Sequence, residues 1–106
     1  MKTVENKEII INCMKALSDP VRLEIFEMLT DGKLCACKIL ERFSVTQPTL
    51  SYHMKHLVDS GLVIAEKKWK WNYYSVNTQT LSCIADYFGY NLNGSKKGGI
   101  VCPAAK

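Results

Sequence analysis

The hydrophobic period of this chain changes once, and that change restricts its fold more than any other feature. Up to Gly61 the apolar residues recur every three or four positions: Ile10, Cys13, Met14 and Leu17, then Val21, Ile25, Met28 and Leu29. Leu34, Ile39, Leu40 and Phe43 make a third stripe, and Leu50, Met54, Leu57 and Val58 a fourth. Each is the buried face of an amphipathic helix. The breaks carry helix punctuation. Ser18 or Asp19 can cap a helix that starts at Pro20, and Asp31-Gly32 ends it. Thr46-Gln47-Pro48 repeats the cap-and-proline start, and Gly61 stops the helix that follows. After Gly61 two β-favouring runs, Leu62–Ala65 and Tyr73–Val76, flank Lys67-Lys68-Trp69-Lys70-Trp71 and predict a hairpin. Asn77 or Thr78 then caps a last helix with the stripe Leu81, Ile84, Ala85 and Phe88, running to Tyr90.

The expected fold is mainly α with a small β-hairpin. A chain of 106 residues holds one core. Its domain should span residues 1–92, followed by a flexible Gly/Lys-rich tail over 93–106. Two helices joined by a short turn and followed by a basic hairpin are the layout of a winged helix-turn-helix. In that layout the second helix of the pair enters the major groove of DNA and the hairpin touches backbone or minor groove. With Leu50, Met54 and Leu57 turned to the core, the opposite face carries Thr49, Tyr52, Lys55 and His56, with Gln47 and Ser51 on the flank. These side chains can read base edges or hold phosphate, and Lys67, Lys68 and Lys70 in the hairpin can do the latter. No acidic residue stands on that helix before Asp59. A catalytic surface would need a carboxylate or a convergent cleft, so an enzyme is not expected.

Charge is distributed to match. Residues 1–31 carry four basic and six acidic groups, whereas residues 32–76 carry seven and three. The basic excess falls on the helix pair and hairpin, where double-stranded DNA would be the partner. No apolar run approaches the length of a membrane span, and the N-terminal residues do not form a secretory signal. A cytoplasmic protein is therefore expected. Five cysteines cannot all pair within one chain, and in a reducing compartment cysteines pack, react or bind metal.

Cys35-Ala36-Cys37 is the triplet that suggests chemistry. Two thiolates close in sequence can hold one soft ion. If both lay in a regular helix they would sit about 200° apart, so one ion could be gripped only by unwinding the helix start. Cys13 and Cys83 fall on or beside apolar stripes and are expected to pack, Cys83 with a possible dimer contact. Cys102, on the tail, could swing in as a third thiolate. His53 is expected to border the core.

Taken together, Ala16-Leu17-Ser18-Asp19-Pro20-Val21-Arg22-Leu23-Glu24-Ile25, Leu34-Cys35-Ala36-Cys37, Thr46-Gln47-Pro48-Thr49-Leu50-Ser51-Tyr52-His53-Met54-Lys55 and Gly61-Leu62-Val63 closely resemble the ArsR (ArsR/SmtB) family of metal-responsive repressors. The likeness covers roughly residues 10–77 and is greatest to the arsenical-resistance-operon repressors. The resemblance implies a homodimer through the first and last helices. It also implies an inducer, As(III) or Sb(III), held by cysteine thiolates with no permanent cofactor, and release of the operator when the inducer binds.

Three positions depart from the family pattern. Lys38 stands where Asp is frequent after the second cysteine. Leu40 replaces the third cysteine of some members. Trp69 occupies the usual glycine of the hairpin, which disfavours a tight turn needing φ > 0 and predicts a longer or differently shaped tip. The last helix has no His and one Asp between Leu81 and Tyr90, unlike the zinc-sensing relatives. The same repressor could instead answer Cd, Pb or Zn ions, or thiol oxidation or persulfidation. A Cys-x-Cys enzyme or metal chaperone, or a dimerising module without DNA binding, are the readings of other classes.

Overall fold

The computed structural model describes residues 3–94. Along the chain run α1 (Thr3–Ala16), α2 (Pro20–Leu29), β1 (Leu34–Cys35), α3 (Ala36–Arg42), α4 (Gln47–Asp59), β2 (Val63–Lys68), β3 (Trp71–Val76) and α5 (Thr78–Gly94). The helix–helix–helix–helix–hairpin–helix order expected from the hydrophobic period is present, and the architecture is a winged helix-turn-helix. Among the described residues no helix is long and apolar enough to cross a membrane.

The caps form where the punctuation placed them. Asp19 closes the start of α2, its carboxylate accepting from the amides of Val21 at 2.9 Å and Arg22 at 3.1 Å. The Thr46 hydroxyl accepts from the Thr49 amide at the start of α4, and Asn77 accepts from Gln79 and Thr80 at the start of α5. Gly61 follows α4 at φ 88°, a left-handed backbone that suits glycine. Cys13, Ile25, Ile39, Met54, Leu57 and Leu62 are fully enclosed, so every helix from α1 to α4 contributes to one core. Arg22 links three of these elements. Its Nε donates to the Ala16 carbonyl at 2.6 Å, and a terminal nitrogen lies 3.2 Å from His53 Nδ1. A guanidinium can only donate, so Nδ1 accepts, and the buried His53 borders the core as its position suggested.

Four details differ from the sequence reading. The third helix starts two residues late: Leu34 and Cys35 form β1, pairing antiparallel with Tyr74 and Tyr73 in a sheet of order β1-β3-β2. A two-residue strand has no period to detect, and its partner lies almost forty positions away. Met14, Ala85 and Phe88 face outward, because Leu81, Ile84 and Tyr87 are the side of α5 that packs inward and α1 buries Ile10, Cys13 and Ala16. The last helix continues past Tyr90 to Gly94, with Asn91 donating back to the Tyr87 carbonyl at 2.7 Å. The rest of the expected tail, 95–106, which includes Cys102, lies outside the described residues.

The fourth is the hairpin tip. Lys68 faces Trp71 in register, leaving only Trp69 and Lys70 in the turn. The tip is tight after all, and Trp69 takes the glycine-like backbone itself at φ 65°. Lys70 lies over both indoles, its Nζ 5.8 Å from the ring centres of Trp69 and Trp71, a cation–π arrangement that offsets part of the strain.

Two stability measurements test these local devices, each at fixed protein concentration in denaturant. Trp69→Gly should raise stability by about 0.5–1 kcal/mol, the left-handed cost outweighing the added freedom of the unfolded chain. Asp19→Ala should lower it by about 1 kcal/mol at neutral pH. Desolvation opposes the charge on Asp19, but the amide of Arg22, the His53 ring 3.9 Å away, the amide of Val21 and the Arg22 guanidinium outweigh it and hold the carboxyl below its usual range. A depressed carboxyl stabilises fully above its unfolded pKa of about 4, and the gain vanishes as pH falls through the folded value. The gap between wild type and Asp19→Ala should therefore close at acid pH. A gap independent of pH would mean that the charge contributes nothing.

Candidate thiol sensor and nucleic-acid interface

Cys35 is both the end of β1 and the residue that precedes α3. Pairing with Tyr73 keeps its backbone extended, at φ −81° and ψ 159°. Cys37 lies in the first turn of α3. Because only one of the two is helical, the sulfurs are not on opposite faces; they converge to 2.7 Å. The expectation that an ion must unwind the helix to reach both sulfurs is thus corrected. The strand-to-helix change of direction between them already brings the thiols together.

The two thiols differ electrostatically. The hydrogen bond from Cys37 and the amide of Lys38 hold the Cys35 thiol below its ordinary value, while sharing that same hydrogen bond raises Cys37. Cys35 is half-buried and Cys37 exposed, so reagents can reach the pair. This is the combination of thiolate character and access that makes cysteines reactive. Cys13 is the opposite case. Enclosed in the core and touching the Ser60 carbonyl, it has its thiol pushed up by burial. Cys83 is half-buried on α5. Among the described residues no cluster of three or more His, Cys, Asp or Glu is placed to hold a metal ion.

The second constellation is the outer face of α4 with the hairpin. Gln47, Thr49, Ser51, Tyr52, Lys55 and His56 are all exposed, as are Lys67, Lys68 and Lys70. Several are already held in position. Thr49 bonds the capping Thr46 hydroxyl at 3.0 Å, Tyr52 meets His56 edge-on at 4.6 Å, and Lys55 pairs with Asp59 at 2.9 Å. β2 is an edge strand, and its exposed Glu66, Lys67 and Lys68 suit it to solvent or polyanion rather than to strand pairing.

Residues 19–65, from the start of α2 into β2, match the family described as bacterial regulatory protein, arsR family. An arsenical resistance operon repressor of Staphylococcus xylosus is 49% identical over 80 residues, covering 76% of this chain and 73% of that protein. One of Staphylococcus aureus is 42% identical over 93 residues, covering 88% of each. The chain belongs to the ArsR family. A crystal structure of an ArsR-family transcriptional regulator superposes with a TM-score of 0.73 at 18% identity, over 78% of this chain and 91% of that one, which places the fold. As an ArsR-family member the protein is a DNA-binding repressor, and its relatives are transcriptional regulators rather than enzymes.

Sequence reasoning passed over three residues in this region. Trp71, Asn72 and Tyr74 of β3 border a cleft that Cys37 and α4 also line. Their alternation marked them only as hairpin, and nothing in one strand tells which helix it will face. Trp69, 86% exposed at the tip, was legible only as a departure from glycine.

The coupling of the thiols can be checked by alkylation. In Cys37→Ala protein Cys35 loses a hydrogen-bond donor, so the midpoint of its iodoacetamide rate against pH should move upward. In Cys35→Ala protein the midpoint for Cys37 should move downward. Unmoved midpoints would show that the two thiols titrate independently.

Proposed function

We propose that this ArsR-family protein is a cytoplasmic, homodimeric repressor that senses trivalent arsenic or antimony through Cys35 and Cys37 and releases its operator on binding. The observation that carries the reading is the convergence of two accessible thiols, 2.7 Å apart, at the junction between the helix-turn-helix and the wing. The similarity to arsenical resistance operon repressors supports the choice of inducer.

The chemistry needs no unusual group. Arsenous acid carries three hydroxyls. Each cysteine S–H gives its proton to one departing hydroxyl, so two As–S bonds form, two As–O bonds break and two waters leave. Arsenic stays trivalent throughout. Cys35 starts the exchange, since its thiol reaches the nucleophilic form first. The inducer can shift the protein away from the operator only by binding the released geometry more tightly than the bound one. A ring through As and both sulfurs resets the spacing of Cys35 against Cys37. Cys35 is tied to Tyr73 in β3, so the strain passes to the wing and to α4.

Operator contact falls to the exposed face of α4 and the hairpin lysines. Gln47 and Ser51 can meet base edges, and Tyr52, Lys55 and His56 can meet phosphate with Lys67, Lys68 and Lys70. For the dimer, α1 and α5 lie against each other and leave Ile11, Met14 and Phe88 outward, all more than a third exposed. These outward apolar groups, which the simple stripe reading had assigned to the core at Met14 and Phe88, form the proposed contact. Two reading helices across a two-fold axis would then face half-sites about one DNA turn apart.

Gel-shift titration tests the sensor. Arsenite should release wild-type protein from its operator, and Cys35→Ser/Cys37→Ser protein should stay bound. Release of the double variant would place the sensing site elsewhere. Phe88→Glu, a surface change, should leave the fold intact by circular dichroism and give a monomer by sedimentation. Its operator affinity should fall at least tenfold, since the second half-site no longer adds to the first. A dimeric Phe88→Glu protein would move the interface away from α5.

A further inference from the structure

The outermost group of the hairpin is an aromatic ring. Lys68 faces Trp71 in register, so Trp69 and Lys70 make the turn, and the Trp69 indole is 86% exposed. Glycine would take its backbone, at φ 65°, without cost, so the ring is kept against local strain. It stands where related hairpins usually carry glycine, and any use of the ring belongs to this chain. Lys67 and Lys68 precede it, and the Lys70 ammonium lies 5.8 Å from its centre. A flat, uncharged group is thus set among cations at the tip.

Its position limits what it can meet. Lys70 and Trp71 border one cleft with Gln47 and Ser51, so the tip stands beside the start of α4. A helix with its side chains is about 10–12 Å across, and the major groove of B-DNA is about 12 Å wide. With α4 in that groove no room remains for the hairpin, which must cross the phosphate ridge towards the adjoining minor groove. Lysines suit the ridge. An indole gains instead by leaving water against the sugar walls, and it is thin enough to enter edge-on a groove about 6 Å wide. Its Nε1–H donates and cannot accept. On the minor-groove floor an A·T pair presents acceptors, adenine N3 and thymine O2, whereas a G·C pair adds the N2 amino donor of guanine. At G·C donor meets donor, and the amino group fills the space the ring would take.

We propose that Trp69 enters the minor groove beside each half-site and makes the protein prefer A·T pairs there. This rests on the operator face assigned to α4 and adds to it a reader of the second groove.

The test uses the full-length dimer and duplexes that it selects from a random-sequence library. Wild-type selections should be enriched in A·T at positions flanking the pairs read by α4. Trp69→Gly selections should lose that enrichment and keep the rest. Single pairs at those positions are then exchanged. A·T→G·C should lower wild-type affinity about fivefold or more, the lower end of what one unfavourable pair costs. A·T→inosine·C should not, because inosine lacks the minor-groove amino group while matching guanine in the major groove. Trp69→Gly protein, checked as a folded dimer by circular dichroism and sedimentation, should bind all three duplexes alike. Its affinity should fall with salt as steeply as that of wild type, since an uncharged ring displaces no counterion. Equal discrimination in wild type and Trp69→Gly overturns the proposal. So does an inosine pair that wild type treats as guanine, which needs no variant and would place the reading in the major groove. A salt slope lowered by about one in Trp69→Gly also overturns it, since Trp69 would then only support a phosphate contact by Lys70. Should Gln47→Ala/Lys55→Ala protein bind the selected duplex as wild type does, the operator face on α4 itself fails. Should that double change weaken binding while Trp69→Gly still discriminates, the face stands and this inference alone falls.

Discussion

Two residues of strand pairing hold the working parts of this protein together. Leu34 opposite Tyr74 and Cys35 opposite Tyr73 attach the start of the helix-turn-helix to the inner strand of the wing. That short ladder adds a backbone tie to the packing that already sets β2 against α4 and β3 against α2 and α3. With it, the carbonyls and amides at Cys35 are fixed against β3, and the chain must turn from strand to helix within the Cys-Ala-Cys triplet. Lys33 and Glu66 brace the same junction from outside at 2.9 Å, though so exposed a pair adds little of its own. The thiols converge because the backbone changes type between them, one residue paired with the wing and the other in the first turn of α3.

Arg22 draws α1, α2 and α4 together through Ala16 and His53, each partner satisfied inside a largely apolar setting. Buried polar groups in such a position are costly when unpaired, and among the described residues no buried side-chain nitrogen or oxygen lacks a partner. Strain is concentrated instead at the exposed wing tip, where Trp69 adopts a backbone that glycine would take without cost. That aromatic is 86% exposed and lies beneath the Lys70 ammonium.

Much of the fold could be read along the chain. Pro20 and Pro48 at helix starts, Asp19 and Thr46 before them, and Gly61 after α4 are local rules, and local rules survive in the folded state because they concern neighbours in sequence. The exposed face of α4 was legible for the same reason: once Leu50, Met54 and Leu57 face inward, helical geometry decides where Gln47, Tyr52 and Lys55 point. The inward and outward sides of α5 were harder. Phe88 and Ala85 fit the same helical stripe as Ile84, and only packing against α1 separates the side that is covered from the side left open.

The site divides along this line. Sequence alone determined which groups are available: two thiols a residue apart, a polar reading face, three hairpin lysines and a single core to support them. It also determined the family, since those groups stand in the family's order. Tertiary structure decided what the groups can do. It made Cys35 a strand residue and so brought two sulfurs together that a continuous helix would have separated. It set residues of α3, α4 and β3 around a cleft beside Cys37, and it held the wing to a two-residue turn despite Trp69. The reason is range: caps and periodicity act within a few residues, whereas the pairing of Cys35 with Tyr73 joins segments whose encounter no local pattern encodes.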